Sequence, residues 1–152
     1  MRYVVTESSQ EYVPLQKEIN YINDYIDLQK LRMDESTQFS FEIKGNPIGK
    51  IIAPLILIPF IENAFKYGLN PEEDSEININ ITINNNHLTL NVVNKMVVDD
   101  IPEELKTEKG IENTTKRLEF IYPNKHTLAI KEIENYFHIH LEIELTWYAQ
   151  LL

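Results

Sequence analysis

The sequence predicts an α+β fold, a two-layer α/β sandwich in which a mixed, mostly antiparallel sheet of about five strands carries helices on one face. Three observations predict it. Every candidate strand alternates apolar with polar residues, whereas central strands of a doubly wound parallel sheet read as continuous apolar runs. Three segments place apolar residues at helical or fully buried spacing between those strands. The chain has 152 residues, 43% of them hydrophobic, which suits one domain with its own core.

The elements follow in order. Leu15, Ile19, Ile22 and Ile26 recur at steps of four, three and four, predicting a helix from about Pro14 to Met33. Pro14 suits its first turn, where a missing N–H costs nothing. Tyr21, Tyr25 and Leu28 form a second stripe, covered by another segment of the domain or turned towards a partner helix. Phe39, Phe41 and Ile43 alternate as a strand, and Gly45, Pro47 and Gly49 turn the chain. Residues 51–68 read as one helix, apolar all round as far as Ile61 and therefore buried. After an acidic loop from Pro71 to Asp74, Ile77, Ile79, Ile81 and Ile83 alternate with Asn78, Asn80 and Thr82. Asn84 to Asn86 turn the chain, and Leu88, Leu90 and Val92 return it, which makes a hairpin. Residues 95–109 are acidic and irregular. A helix follows from about Ile111 to Ile121, ending at Pro123, and two strands close the chain through Leu128 and Ile130, then Phe137 to Leu145.

Composition narrows the function. The 14 Lys and Arg against 24 Asp and Glu leave a net charge of −10, which argues against broad nucleic-acid binding. The absence of cysteine excludes a disulfide scaffold, Cys-ligated zinc and thiolate chemistry. The start of the chain has no signal-like apolar run, and Ile51 to Ile61 is about half the ~20 residues of a membrane span. A soluble, intracellular chain is expected.

The chemistry concentrates where the apolar run ends. Glu62, Asn63 and Lys66 stand at i,i+4 and i,i+3 spacings, hence near one helix face. A carboxylate, an amide and an amine converging at the end of a core helix suit a polar site, since isolated buried charge is costly. The same residues also suit an exposed helix end with a Glu62–Lys66 pair and Gly68 as its C-cap. Periodicity does not separate the two.

The stretch "PLILIPFIENAFKYG" closely resembles the N box of the GHKL superfamily, the ATP-binding fold of histidine kinases, gyrase, mismatch-repair and heat-shock chaperone ATPases. Its spelling Pro-x-x-x-Glu-Asn-Ala-x-Lys resembles that of LytS-type sensor histidine kinases. "KGIENTTKRLEFIYP" is similar to that family's segment after the ATP lid, and "YVPLQKEINYINDYIDLQKLRM" to the helix leading into its catalytic domain. The order of the three segments matches the family over roughly residues 1–145.

The resemblance implies roles residue by residue. Asn63 would hold the Mg²⁺ that bridges the phosphates of ATP, a hard ion suited to an amide oxygen. Glu62, the other catalytic candidate, would position or activate the accepting group. Lys66 would face the phosphates, and Tyr67 stands where relatives often have His. Gly110 and Ile111 open a helix whose free N–H groups favour phosphate. Asn113 and Arg117 match the family's Asn and Arg, although Arg117 equally suits a structural ion pair.

Two departures stand against full activity. The adenine motif Asp-x-Gly-x-Gly is replaced by Asn94-Lys95-Met96-Val97-Val98, and the Gly-x-Gly before the last helix by Glu108-Lys109-Gly110. Asn94 still offers an acceptor to the adenine amine. The lid carries Asp99, Asp100, Glu103, Glu104 and Glu108. None of His87, His126, His138 and His140 lies in a phosphoacceptor-like segment, and His138 with His140 suits a solvated sheet face better than a metal site.

The resemblance therefore implies residues 1–34 as the end of a dimerisation and phosphoacceptor region and 35–152 as the ATP-binding catalytic domain. Its expected activity is a protein histidine kinase using ATP and Mg²⁺, with the phosphoacceptor outside this chain and a response regulator as partner. The parent would be a homodimer anchored in the inner membrane by spans missing here, with this part cytoplasmic. The alternative is a degenerate GHKL module that binds a protein and has lost nucleotide turnover. A gyrase or mismatch-repair ATPase fits less well, because Pro59 stands where those enzymes carry their water-activating Glu.

Overall fold

The computed structural model describes residues 4–5, 11–70, 72–97 and 108–147. In chain order the elements are β1 (Val4–Val5), β2 (Glu11–Pro14), α1 (Leu15–Lys30), β3 (Thr37–Lys44), β4 (Lys50–Ile52) and α2 (Ile58–Gly68). They continue with β5 (Ser75–Asn84), β6 (His87–Lys95), α3 (Glu108–Ile121), β7 (His126–Ile133), β8 (Tyr136–Glu144) and β9 (Thr146–Trp147). Among the described residues no helix is long and apolar enough to cross a membrane.

The main sheet has five strands in the order β3-β5-β6-β8-β7. Only β3 and β5 run parallel, so the sheet is mixed and mostly antiparallel, as the alternation predicts. Register explains the alternation. Ile79 faces Val92, which faces Ile139, while Ile81 faces Leu90, which faces Leu141. These rows bury one face, and the opposite rows carry Asn78, Asn80, Asn91, His138 and His140. In the β5–β6 hairpin Asn84 pairs with His87, and Asn85 takes φ 56°, a conformation asparagine tolerates better than most residues.

The buried stripe of α1, namely Leu15, Ile19, Ile22 and Ile26, joins the same core as the sheet and α2. Its second stripe divides. Tyr25 packs edge-on to Phe65 with ring centroids 5.8 Å apart, while Tyr21 and Leu28 are exposed.

Four expectations need correction. Residues 51–68 are not one helix: Ile51 and Ile52 belong to β4, and α2 begins only at Ile58. Most of the apolar run is buried as expected, with Leu55 the exposed exception at 46%, but Pro54 interrupts and Leu55 takes φ 57°, so helical periodicity cannot run through. The short strand β4 belongs to a second sheet, order β1-β2-β4-β9, too brief at each strand to register as alternation. Pro14 is the residue before α1 rather than part of its first turn, with ψ 137°. Gly68 ends α2 within the helix, and the C-cap is an extended Leu69.

One buried carboxylate holds the helices together. Glu18 of α1 is 3% exposed. The Leu55 N–H donates to its Oε1 at 2.9 Å and the Leu57 N–H to its Oε2 at 3.4 Å. Desolvation pushes its carboxyl above the usual range, and the backbone N–H groups of residues 55–57 and the Arg117 charge pull it back only partly. Arg117 of α3 donates from Nη2 to the Pro54 carbonyl at 3.1 Å. Just past α3, the Tyr122 hydroxyl accepts from the Ala53 N–H at 3.0 Å and is itself 2% exposed. The turn 53–57 that launches α2 is thus held from both neighbouring helices.

Two outcomes follow from these contacts. Tyr122→Phe leaves the buried Ala53 N–H without its acceptor and is expected to lose about 1–3 kcal/mol in urea unfolding. Glu18 has a raised folded-state pKa, so its contribution to stability is fully present below the unfolded value of 4.5 and is lost as pH rises through the folded value. Native and Glu18→Gln chains unfolded in urea from pH 4.5 to 8 should therefore diverge, the native chain losing ground as pH rises. A constant difference would refute the assignment.

Candidate functional site

The helix α2 divides the predicted site residues between two surfaces. Asn63 is 4% exposed and points into the domain with Ile61, Ala64 and Phe65. Glu62 is exposed and Lys66 half-buried, and both line an open cleft against Tyr25 and Arg32 of the α1 end. Adjacent helical residues differ by about 100° around the axis, so neighbours 62 and 63 face different ways. The expected convergence of Glu62, Asn63 and Lys66 is a junction between an outer cleft and an inner wall.

Beyond α2 the chain passes close to β6. A Cβ built on Gly68 would lie 2.8 Å from the Asn94 Cβ and 3.1 Å from its Nδ2. Only glycine allows that approach, and it brings the end of α2 against Asn94. The segment after β6 is tied to the same helix end. The Val97 N–H donates to the Tyr67 carbonyl at 3.0 Å, and Asn70 Nδ2 donates to the Val97 carbonyl at 3.3 Å. Asn135 supports it from the β7–β8 turn, accepting from the Met96 N–H at 2.9 Å.

Asn94 is 1% exposed on the inner face, in register with Ile77 and Phe137. Its Nδ2 donates to the Lys95 carbonyl at 3.2 Å, which fixes the orientation of the amide. Its Oδ1 is buried with no hydrogen-bond partner. An unpaired buried acceptor costs about 1–3 kcal/mol, and it is the feature a ligand N–H would satisfy. The residues present therefore fit an amino-bearing base.

The helix α3 starts at Glu108, earlier than expected, so Gly110 is its third residue and Ile111 its fourth. The Gly110 N–H still falls among the first-turn groups that lack intrahelical acceptors, while Ile111 lies one residue further in. Asn113 is exposed and Arg117 half-buried on the same helix, with Arg117 engaged by Pro54 as described. Thr114, which sequence reasoning passed over, is buried and donates its hydroxyl to the Gly110 carbonyl at 2.8 Å. The Asp99, Asp100, Glu103 and Glu104 of the acidic lid lie outside the described residues.

Two groups of consequence carry no sequence signal of their own. Glu18 is one polar residue in an amphipathic helix, and Arg32 one cation at a helix end. Only the position of Glu18 one residue before Ile19 marks it as near the buried stripe. His126 opens β7, with its Nδ1 2.8 Å from the Tyr122 carbonyl oxygen. His140 Nδ1 lies 2.6 Å from Asn91 Oδ1 and its Nε2 3.5 Å from Glu142 on the open sheet face. Among the described residues no group of three His, Cys, Asp or Glu is placed to hold a metal ion.

Comparison with known proteins agrees with the fold. A family model described as histidine kinase matches residues 1–37. The sensor protein kinase HptS of Staphylococcus aureus is 31% identical over 121 residues, covering 80% of this chain and 20% of HptS. The chain spans about a fifth of the length of the curated relatives it matches. The catalytic domain of histidine kinase ThkA superposes with a TM-score of 0.56 at 17% identity, over 94% of this chain and 97% of that one. The histidine kinase domain of the Erythrobacter litoralis blue-light activated kinase reaches 0.58 at 11% identity, over 95% of this chain and 65% of that one. ThkA in complex with the response regulator protein TrrA aligns at 0.53 and 20% identity, over 92% of this chain and 43% of that one. This chain has the fold of a histidine kinase catalytic domain, and the sequences it resembles are those of histidine and sensor protein kinases.

Proposed function

We propose that this chain is the ATP-binding catalytic part of a LytS-type sensor histidine kinase. In the parent protein it transfers the γ-phosphoryl group of ATP to a histidine outside residues 1–152, for relay to a response regulator. The orphaned Oδ1 of Asn94 carries the proposal: it is a buried, oriented acceptor beside the N-box helix, suited to the exocyclic amine of adenine. Asn63 would hold Mg²⁺, which offsets phosphate charge when bound, and Lys66, Tyr67, Gly110, Ile111 and Asn113 would contribute phosphate contacts, while Arg117 braces the Pro54 carbonyl before α2. Catalysis is then mostly positioning and electrostatic stabilisation. Residues 1–34 form the end of the phosphoacceptor region and 35–152 the catalytic domain. The match of the histidine kinase model to residues 1–37 supports the first of these. The parent is read as a membrane-anchored homodimer with a response-regulator partner; the sensor-kinase relatives support the anchor and the ThkA–TrrA complex supports the partner.

Thermal unfolding with and without Mg²⁺-ATP tests the reading. At a hundredfold excess over Kd the ligand adds about 2.7 kcal/mol of stability, several degrees in Tm for a domain of this size. Asn63→Ala should abolish the Mg²⁺-dependent part of the shift. Asn94→Leu replaces an orphaned acceptor with an apolar group of similar shape, so the ligand-free chain should keep or gain stability while the ATP shift disappears. No shift for the native chain at millimolar nucleotide would sink the proposal.

A further inference from the structure

The cleft between α1 and α2 has a volume of about 370 Å³ and is lined by Tyr25, Arg32, Glu62, Phe65 and Lys66. Arg32 stands just past the end of α1 and Lys66 in the last turn of α2. Two elements remote in sequence thus bring a guanidinium and an ammonium to one cavity. Glu62 is the single carboxylate there, so the cleft carries one positive charge in excess while the whole chain carries −10. The Tyr25–Phe65 edge contact, with centroids 5.8 Å apart, holds the two helices at this separation. Burial and the Glu62 charge push the Tyr25 phenol up to about 12, which keeps it a neutral hydroxyl at ordinary pH.

The arginines of the described residues are used in different ways. Arg117 is spent inside the fold on the Pro54 carbonyl, near buried Glu18. Arg32 is exposed, and its Nη1 donates to Gln29 Oε1 at 2.9 Å. That bond fixes the fork and leaves most of the guanidinium donors unused, a geometry suited to two phosphoryl oxygens at once. A carboxylate such as Glu62 beside a phosphate is tolerable only where cations outnumber it. Here they do.

We propose that Arg32 is a further phosphate-binding residue, which with Lys66 grips the terminal phosphoryl group of a bound nucleoside triphosphate across the α1–α2 cleft. The inference rests on the nucleotide-binding reading above. It assigns to α1 a direct contact with ligand, in addition to its packing on the core, and it gives the site a means of distinguishing a triphosphate from a diphosphate. The bland role for Arg32, a cation at a helix C-terminus, makes no such distinction.

Calorimetric titration of the native chain, Arg32→Ala and Arg32→Lys with Mg²⁺-ATP and with Mg²⁺-ADP separates the roles. Loss of one charge-assisted fork should weaken Mg²⁺-ATP by about tenfold and Mg²⁺-ADP by less than about twofold. Arg32→Lys should recover part of the loss, since it keeps the charge without the planar fork. Equal weakening of both nucleotides, or no weakening of Mg²⁺-ATP, overturns the role of Arg32 and leaves the nucleotide reading intact. A native chain that binds neither nucleotide overturns both.

Discussion

Glu18 enters the domain from α1 with 3% of its surface exposed and receives backbone N–H groups from the turn that precedes α2. Burying a carboxylate costs several kcal/mol before its partners are counted. The arrangement is retained because the turn has its own debt. Residues 55–57 present N–H groups that face the interior, where water cannot serve them, and Leu55 is held at φ 57°. Successive N–H groups in such a turn form an anion-binding concavity, and Glu18 fills it from within the chain. An apolar residue at position 18 would remove the charge and strand the amides. The start of α2, and with it the placement of Glu62, Asn63 and Lys66, depends on that one contact.

The same turn receives α3 through Arg117 on the Pro54 carbonyl, and the residue just past α3 through Tyr122 on the Ala53 N–H. Three helices therefore meet at residues 53–57, none of which bears a side chain with phosphate chemistry. Displacing α1 would loosen Glu18 and the α2 entry together. Displacing α3 would pull on Pro54. The helices that carry the candidate phosphate contacts are consequently coupled through backbone groups, a form of coupling that a list of site residues does not reveal.

How much of this could be read in advance depends on the range of the interaction. The inner rows of the sheet were legible because alternation is a local consequence of the pleat: Ile77 to Ile83 and Leu88 to Val92 face the core as the pattern requires. The stripe of α1 was legible for the same reason. The strand β4 was not, because its three residues are all buried and read like part of a buried helix. Nor was the second sheet, whose strands of two to four residues show no period. Asn63 and Lys66 were singled out by helical spacing and resemblance and Asn94 by resemblance alone, but their distribution over two surfaces of α2 and the end of β6 is tertiary. Glu18 and Arg32 were missed altogether, since a single charge on a helix has no signature until its neighbours are known.

Two buried polar atoms among the described residues have no hydrogen-bond partner, Thr37 Oγ1 and Asn94 Oδ1, and they differ in kind. A threonine hydroxyl is one small group on a rotatable bond, so a modest shift of its χ1 or of a neighbour can serve it. The amide of Asn94 has no such freedom, because its Nδ2 is committed to the Lys95 carbonyl and a flip would trade that bond for a clash of acceptors. The Oδ1 is left over because α2 and β6 approach at Gly68, where no side chain exists to reach it. A larger residue at position 68 would collide with the Asn94 side chain and displace its amide. The fold thus keeps an uncompensated acceptor where the end of α2 comes closest to β6. A cost of that kind is sustained in a marginally stable domain when something outside the chain relieves it.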